Sequence, residues 1–180
     1  MQKFIDIIVE NIREVYDQKK IDDLILFIEN GRKIFVAGIG RSGLVAKAFA
    51  MRLMHLGYSV FVMGETITPR VEKDDLLIAI SGSGETGYVV GLSKKAKELG
   101  AKVVAITSSV NSRLSKIADF AIILKSNLGK EIARVAPLGT IFELKALFFL
   151  EGIVAEIMER KNMSEEDLAK RHSIENEVSL

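Results

Sequence analysis

Apolar residues recur at helical spacing through residues 3–30, first as Phe4, Ile7, Ile8, Ile12 and Val15, then as Ile21, Leu24, Ile25 and Ile28. The spacing predicts two short helices, stopped by Asn30 and Gly31. The pattern then changes to short runs rich in Val and Ile: Lys33–Gly38, Tyr58–Met63, Leu76–Ile80, Lys102–Thr107 and Phe120–Leu124. Each reads as a buried strand. Helical stretches separate them at Leu44–Leu56, Tyr88–Leu99 and, more briefly, Ser112–Ile117, with Gly57 and Gly100 where helix C-caps belong.

Strands alternating with helices predict right-handed βαβ units and a parallel sheet covered on both faces. Five such strands fit an α/β, three-layer, doubly wound sheet of flavodoxin-like order 2-1-3-4-5. A long helix follows from Thr140 to about Lys161, in which Ile141, Phe142, Leu144, Leu147, Phe148, Phe149, Leu150, Ile153, Val154, Ile157 and Met158 leave little polar face. A helix apolar almost all round is buried on all sides. One sheet cannot cover a terminal helix in that way, so a subunit interface is expected there, in a homodimer or homotetramer. Ser164-Glu-Glu-Asp then opens a charged tail with a capping signature. No linker, repeat or low-complexity segment interrupts the 180 residues, and a single domain over 1–180 is expected.

Charge narrows the partners. Lys and Arg number 25 against 24 Asp and Glu, a net charge of +1, which argues against nucleic acid. Cysteine is absent and the histidines are His55 and His172, so Cys/His zinc sites, thiol catalysis and disulfides are excluded. No metal or other cofactor is implied. Asp6 and Glu10 do not suit a signal peptide, and no apolar run approaches the ~18 residues that span a bilayer. A cytoplasmic location without a membrane partner is expected. A mean hydropathy of +0.23 agrees with a buried interface.

Six of the fourteen glycines fall in two short loops, Gly38-Ile-Gly-Arg-Ser-Gly43 after the first strand and Ser81-Gly-Ser-Gly-Glu-Thr-Gly87 after the third. Each leads from a strand into a helix, where free backbone N–H groups and the positive end of the helix dipole attract anions. Serine and threonine hydroxyls add donors suited to phosphate oxygens. In the expected strand order the first and third strands are neighbours at the point where the chain reverses direction, which is where such sheets bind ligands. Both loops therefore line one crevice, with Thr107-Ser108-Ser109 beside them.

Gly38-x-Gly40-x-x-Gly43 also matches the dinucleotide fingerprint, with Glu65 at the distance of a ribose-binding acid. That architecture has no use for a second Ser-rich loop, and the chain leaves no room for a substrate domain. A Walker A Gly-Lys-Ser/Thr is absent, and neither Ser42 nor Ser83 stands in a Gly-x-Ser-x-Gly elbow.

Gly38–Gly43, Ile80-Ser-Gly-Ser-Gly-Glu-Thr86 and Thr107-Ser108 resemble the phosphosugar site of the SIS (sugar isomerase) family. More narrowly, Arg41-Ser-Gly, Gly82-Ser-Gly-Glu-Thr-Gly87, Ala136-Pro-Leu-Gly-Thr-Ile-Phe-Glu143 and Arg171-His172 resemble the 3-hexulose-6-phosphate isomerases, over essentially the whole chain. The resemblance implies interconversion of 3-hexulose 6-phosphate and fructose 6-phosphate through a 2,3-enediol(ate), without a cofactor. Another phosphosugar aldose–ketose isomerase, or a silent sugar-phosphate-binding SIS module, is the alternative.

By the same resemblance Ser42, Ser81, Ser83 and Thr86 would anchor the phosphate, together with Gly82, Gly84 and Glu85 of that loop, and Arg41 would help hold the sugar. Glu143 is the first choice for the base, since a carboxylate in an apolar pocket is a stronger base. Thr140-x-x-Glu143 also reads as a capping box. Glu151 is the alternative base. Glu85 also suits a helix N-terminus, where the dipole favours a carboxylate. His172 would assist ring opening or proton transfer, mostly from the fructose end, acting in its own chain or from a neighbouring subunit. His55 reads as structural.

Overall fold

The computed structural model describes residues 1–126 and 129–172. Five parallel strands, β1 (Ile34–Ala37), β2 (Val60–Val62), β3 (Leu76–Ile80), β4 (Lys102–Thr107) and β5 (Phe120–Ile123), form one sheet in the order β2-β1-β3-β4-β5. This is the doubly wound arrangement expected. The crossovers are α3 (Arg41–His55), α4 (Gly87–Glu98) and α5 (Arg113–Ile117). Before the sheet come α1 (Gln2–Arg13) and α2 (Gln18–Asn30); after it come α6 (Lys130–Val135), α7 (Thr140–Arg160) and α8 (Glu165–Ala169).

Alternation along the strands divides the core. Ile34, Val36, Leu76, Ile78, Ile80, Val104 and Ile106 face α2, α3 and α7, whereas Phe35, Ala37, Leu77, Ala79, Val103 and Ala105 face α4 and α5. Both faces are apolar because both are covered, as a parallel sheet requires.

Gly57 and Gly100 have φ of +91° and +84°, the left-handed C-cap positions expected. Gly31 works differently. It stays extended, and a Cβ there would stand 2.9 Å from Leu76 Cβ, so its small size lets the chain pass β3 closely. Ser164 and Asp167 form the capping box read at the start of α8.

Three expectations change. Helix α6 was not foreseen. No capping box forms at Thr140, because the N-cap of α7 is Gly139 in the left-handed region and the Thr140 hydroxyl donates to the Pro137 carbonyl at 2.6 Å. The apolar surface of α7 is also largely covered within its own chain, by α1, α2 and α3, leaving Leu147 and Phe148 exposed. Tail residues 173–176 lie outside the described residues.

Candidate active site

The C-terminal ends of β1, β3, β4 and β5 and the first turn of α7 surround a cavity of about 360 Å³. It sits at the switch point between β1 and β3. Ile39, Ile80, Leu138 and Phe142 form its apolar walls, with Phe142 packed on Gly82 so closely that a Cβ there would meet its ring at 3.0 Å. Ser42, Ser81, Ser83, Thr86, Ser108, Ser126 and Glu143 supply the polar groups.

The loop after β3 is internally braced. Gly84 N donates to Ser81 Oγ at 3.1 Å, Glu85 N donates to Ser83 Oγ at 3.1 Å, and Ser81 Oγ and Thr86 Oγ1 stand 3.0 Å apart. Loop amides thus occupy lone pairs of Ser81 and Ser83, leaving O–H groups to donate to an anion. Ser108 Oγ is engaged, donating to the Gly82 carbonyl at 2.6 Å.

Glu143 reaches the cavity from the second half of the chain. Its Oε1 accepts from Ser42 Oγ at 3.4 Å, and its Oε2 lies 3.2 Å from Arg41 Nη2. Oε2 is buried and has no hydrogen-bond partner in the protein. Ser42, expected as a phosphate anchor, instead directs its hydroxyl at this carboxylate. Arg41 is more occupied than a free sugar ligand would be: Nη1 donates to Thr140 Oγ1 at 3.1 Å, and Nη2 donates to the Leu138 carbonyl. It ties the first glycine loop to the Leu138–Gly139 turn, whose two residues are both left-handed.

Glu85 does not line the cavity. Its carboxylate accepts from Arg113 N at 2.8 Å and from Arg113 Nε at 2.5 Å, and Arg113 Nη2 donates to the Glu85 carbonyl at 2.7 Å. It sits at the start of α5, not of its own helix, and hydrogen bonds from Arg113 hold its carboxyl below the usual carboxylate range. Gly84 likewise serves packing, with its carbonyl accepting from Leu114 N at 3.1 Å. Arg113 was missed in the sequence, since nothing local marks a residue 28 positions away as a partner.

Two expected site residues lie elsewhere in this chain. Glu151 is exposed, eight residues or about 12 Å along α7 from Glu143, and pairs with Arg52 Nε at 3.2 Å. His172 stacks on His55 with ring centroids 4.8 Å apart. His55 ends α3 and Ser42 lies in its first turn, a separation of about 20 Å along the helix. A single chain therefore does not bring His172 to Glu143. His55 is buried, as a structural histidine should be; burial, with His172 and Arg52 adding like charge, pushes its pKa down. Among the described residues no three His, Cys, Asp or Glu side chains are grouped to hold a metal ion, and no helix is long and apolar enough to cross a membrane.

A parallel sheet with two glycine-rich loops at its switch point, the second of them rich in hydroxyls, suits a phosphorylated ligand, and the SIS-domain profile matches residues 27–141, more than half of the chain. The chain belongs to the SIS-domain family. The matched span holds both loops and ends just before Glu143. Closer relatives extend further. The chain is 46% identical over 155 residues to the 3-hexulose-6-phosphate isomerase of Methanocaldococcus jannaschii, covering 86% of this chain and 83% of that one. It is 36% identical over 169 residues to the enzyme of that name from Bacillus subtilis, covering 92% and 91%. A crystal structure of a hypothetical protein from Methanococcus jannaschii, for which that molecular function was inferred, superposes with a TM-score of 0.88 at 42% identity, over 96% of this chain and 98% of that one. At the level of class, the expected sugar-phosphate isomerase stands.

Proposed function

We propose that the chain interconverts D-arabino-hex-3-ulose 6-phosphate and fructose 6-phosphate, with Glu143 as the base. The observation that carries this is a half-buried carboxylate, its Oε2 buried without a protein hydrogen-bond partner, at a cavity also lined by a loop of hydroxyls. Phosphate would bind Ser81, Ser83 and Thr86, and the sugar chain would extend toward α7. Glu143 would remove the C2 proton of the 3-ketose, leaving a 2,3-enediolate, and return it to C3 as the carbonyl forms at C2. One carboxylate can carry the carbon-bound proton, because it leaves and returns between adjacent carbons, while the O2 hydroxyl proton passes to O3 within the enediolate. Arg41 and Ser42 hold that carboxylate in place.

Fructose 6-phosphate incubated with the protein in D₂O tests the reaction by NMR. Deuterium at C3, with the 3-ketose appearing, is the expected result. Exchange at C1 would replace this reading with an aldose–ketose isomerase, and binding without exchange would favour a silent sugar-phosphate module.

The same reading includes self-association, in the cytoplasm. Leu44, Met51 and Met54 on α3 and Leu147 and Phe148 on the adjoining α7 are large apolar side chains left exposed. Another copy of the chain is the proposed cover. Sedimentation is expected to give a dimer or tetramer of the 19.9 kDa chain, and a stable monomer would reject this part.

A further inference from the structure

Among the described residues, two side-chain oxygens are buried without a hydrogen-bond partner in the protein, Ser126 Oγ and Glu143 Oε2. Both residues line the same cavity. An unpaired buried hydroxyl is destabilising, and native proteins keep few of them. Every other cavity hydroxyl has a partner: Ser42 on Glu143, Ser81 with Thr86, Ser83 under Glu85 N, Ser108 on the Gly82 carbonyl.

The fold sets Ser126 apart from the phosphate loop. Ile80 pairs with Ile106 and Thr107 with Ile123, so Ser81 and Ile123 stand at one level of the sheet. Ser126 comes three residues later, on the chain leaving β5, which lies two strand spacings from β3, about 10 Å. The preceding residue is fixed to α7, because Lys145 Nζ, buried and two residues past Glu143, donates to the Lys125 carbonyl at 2.7 Å. Ser126 is thus held by the helix that carries Glu143 rather than by the loop that would carry phosphate.

We infer that Ser126 is a substrate-binding residue for the sugar chain, hydrogen-bonded to a hydroxyl or carbonyl oxygen at the end remote from phosphate. This rests on the phosphosugar reading above and adds a contact to the polyhydroxy ketone itself. A serine hydroxyl both donates and accepts, so it can follow one oxygen as it changes between hydroxyl and carbonyl.

Ser126→Ala tests it with two ligands, inorganic phosphate and fructose 6-phosphate, whose affinities are measured by calorimetry beside Tm and turnover. Removing an unpaired hydroxyl is expected to leave Tm unchanged or raised and phosphate affinity within about twofold. Fructose 6-phosphate affinity and kcat/KM are each expected to fall about tenfold, the effect of one lost hydrogen bond. Parental values of both would overturn the inference, as would a variant that loses folding and phosphate affinity together. A parent that prefers fructose 6-phosphate to phosphate but exchanges no protons would defeat the isomerase reading alone; the affinity ratio of the variant would still decide Ser126. A parent that binds the two equally would overturn Ser126 too.

Discussion

Glu143→Gln is expected to reduce turnover by about two to four orders of magnitude while leaving phosphosugar affinity within about threefold. The amide keeps the shape of the carboxylate and can still accept from Ser42 Oγ, now 3.4 Å from Oε1. It cannot take a proton from carbon. Ser81, Ser83 and Thr86, the proposed phosphate donors, are on another element and their hydrogen bonds do not involve Glu143. Comparing kcat with the affinity for fructose 6-phosphate separates the two effects. Loss of binding and folding together would mean that the ion pair with Arg41 is structural and the base lies elsewhere. The capping role does not compete, since Gly139 and the Pro137 carbonyl already organise the start of α7.

In the loop after β3, Gly84→Ala is expected to be as damaging as Gly87→Ala is harmless. A Cβ on Gly84 would stand 2.2 Å from Ser112 Oγ and 2.4 Å from Ser112 Cβ, on a backbone with φ of +66°. The left-handed conformation alone costs a non-glycine residue roughly 1 kcal/mol. The clash adds more, because Ser112 cannot yield freely: its Oγ caps α5 by accepting from Ser115 N at 3.2 Å. A destabilisation of about 3 kcal/mol, or a fall in Tm of about 6–12 °C, is expected. Affinity for inorganic phosphate should drop at least about tenfold as Ser81 loses the amide that orients it. A Cβ on Gly87 would meet nothing within 4 Å, so Gly87→Ala should retain the parental Tm and affinity. Calorimetry and thermal unfolding of the two variants test this together, and a Gly84→Ala protein with parental values would show that α5 does not pin the loop.

The strands, their order and the two loops were legible because each rests on a local pattern. Val- and Ile-rich runs of strand length between helical stretches specify a covered parallel sheet, and the sheet's order brings Gly38–Gly43 and Ser81–Gly87 to one crevice. The spacing Gly38-x-Gly40-x-x-Gly43 was legible too, although its meaning is steric. A Cβ on Gly38 would stand 2.6 Å from the Ser42 carbonyl oxygen, and one on Gly43 would stand 2.9 Å from the Gly38 carbonyl oxygen. The two glycines let a strand end and a helix turn touch, a need the dinucleotide fold shares.

What stayed hidden depends on which distant group a side chain meets. Arg41 finds the Leu138 carbonyl across 97 positions, and no local signal favours that carbonyl over a sugar hydroxyl. Glu85 was assigned to the helix it precedes, whereas the fold presents it with the backbone N–H of Arg113. The apolar surface of α7 announced burial but not the identity of its cover. Ser126 sits in no motif; its hydroxyl stands out only once every neighbour has been given a partner.

Among the described residues the lining of the cavity contains hydroxyls, amides, apolar walls and one carboxylate, but no lysine or arginine; Arg41 stands behind Glu143 as its counterion. A phosphate dianion bound there would therefore be held by dipoles rather than by an opposite charge. Ion pairing is screened by salt over a Debye length of about 8 Å at physiological ionic strength, whereas short hydrogen bonds in a partly enclosed site are not. Selection in such a pocket turns on whether donors match the oxygens in position. A planar carboxylate, with fewer oxygens and a different outline, gains little from entering, and the saltiness of the surrounding fluid hardly alters the grip.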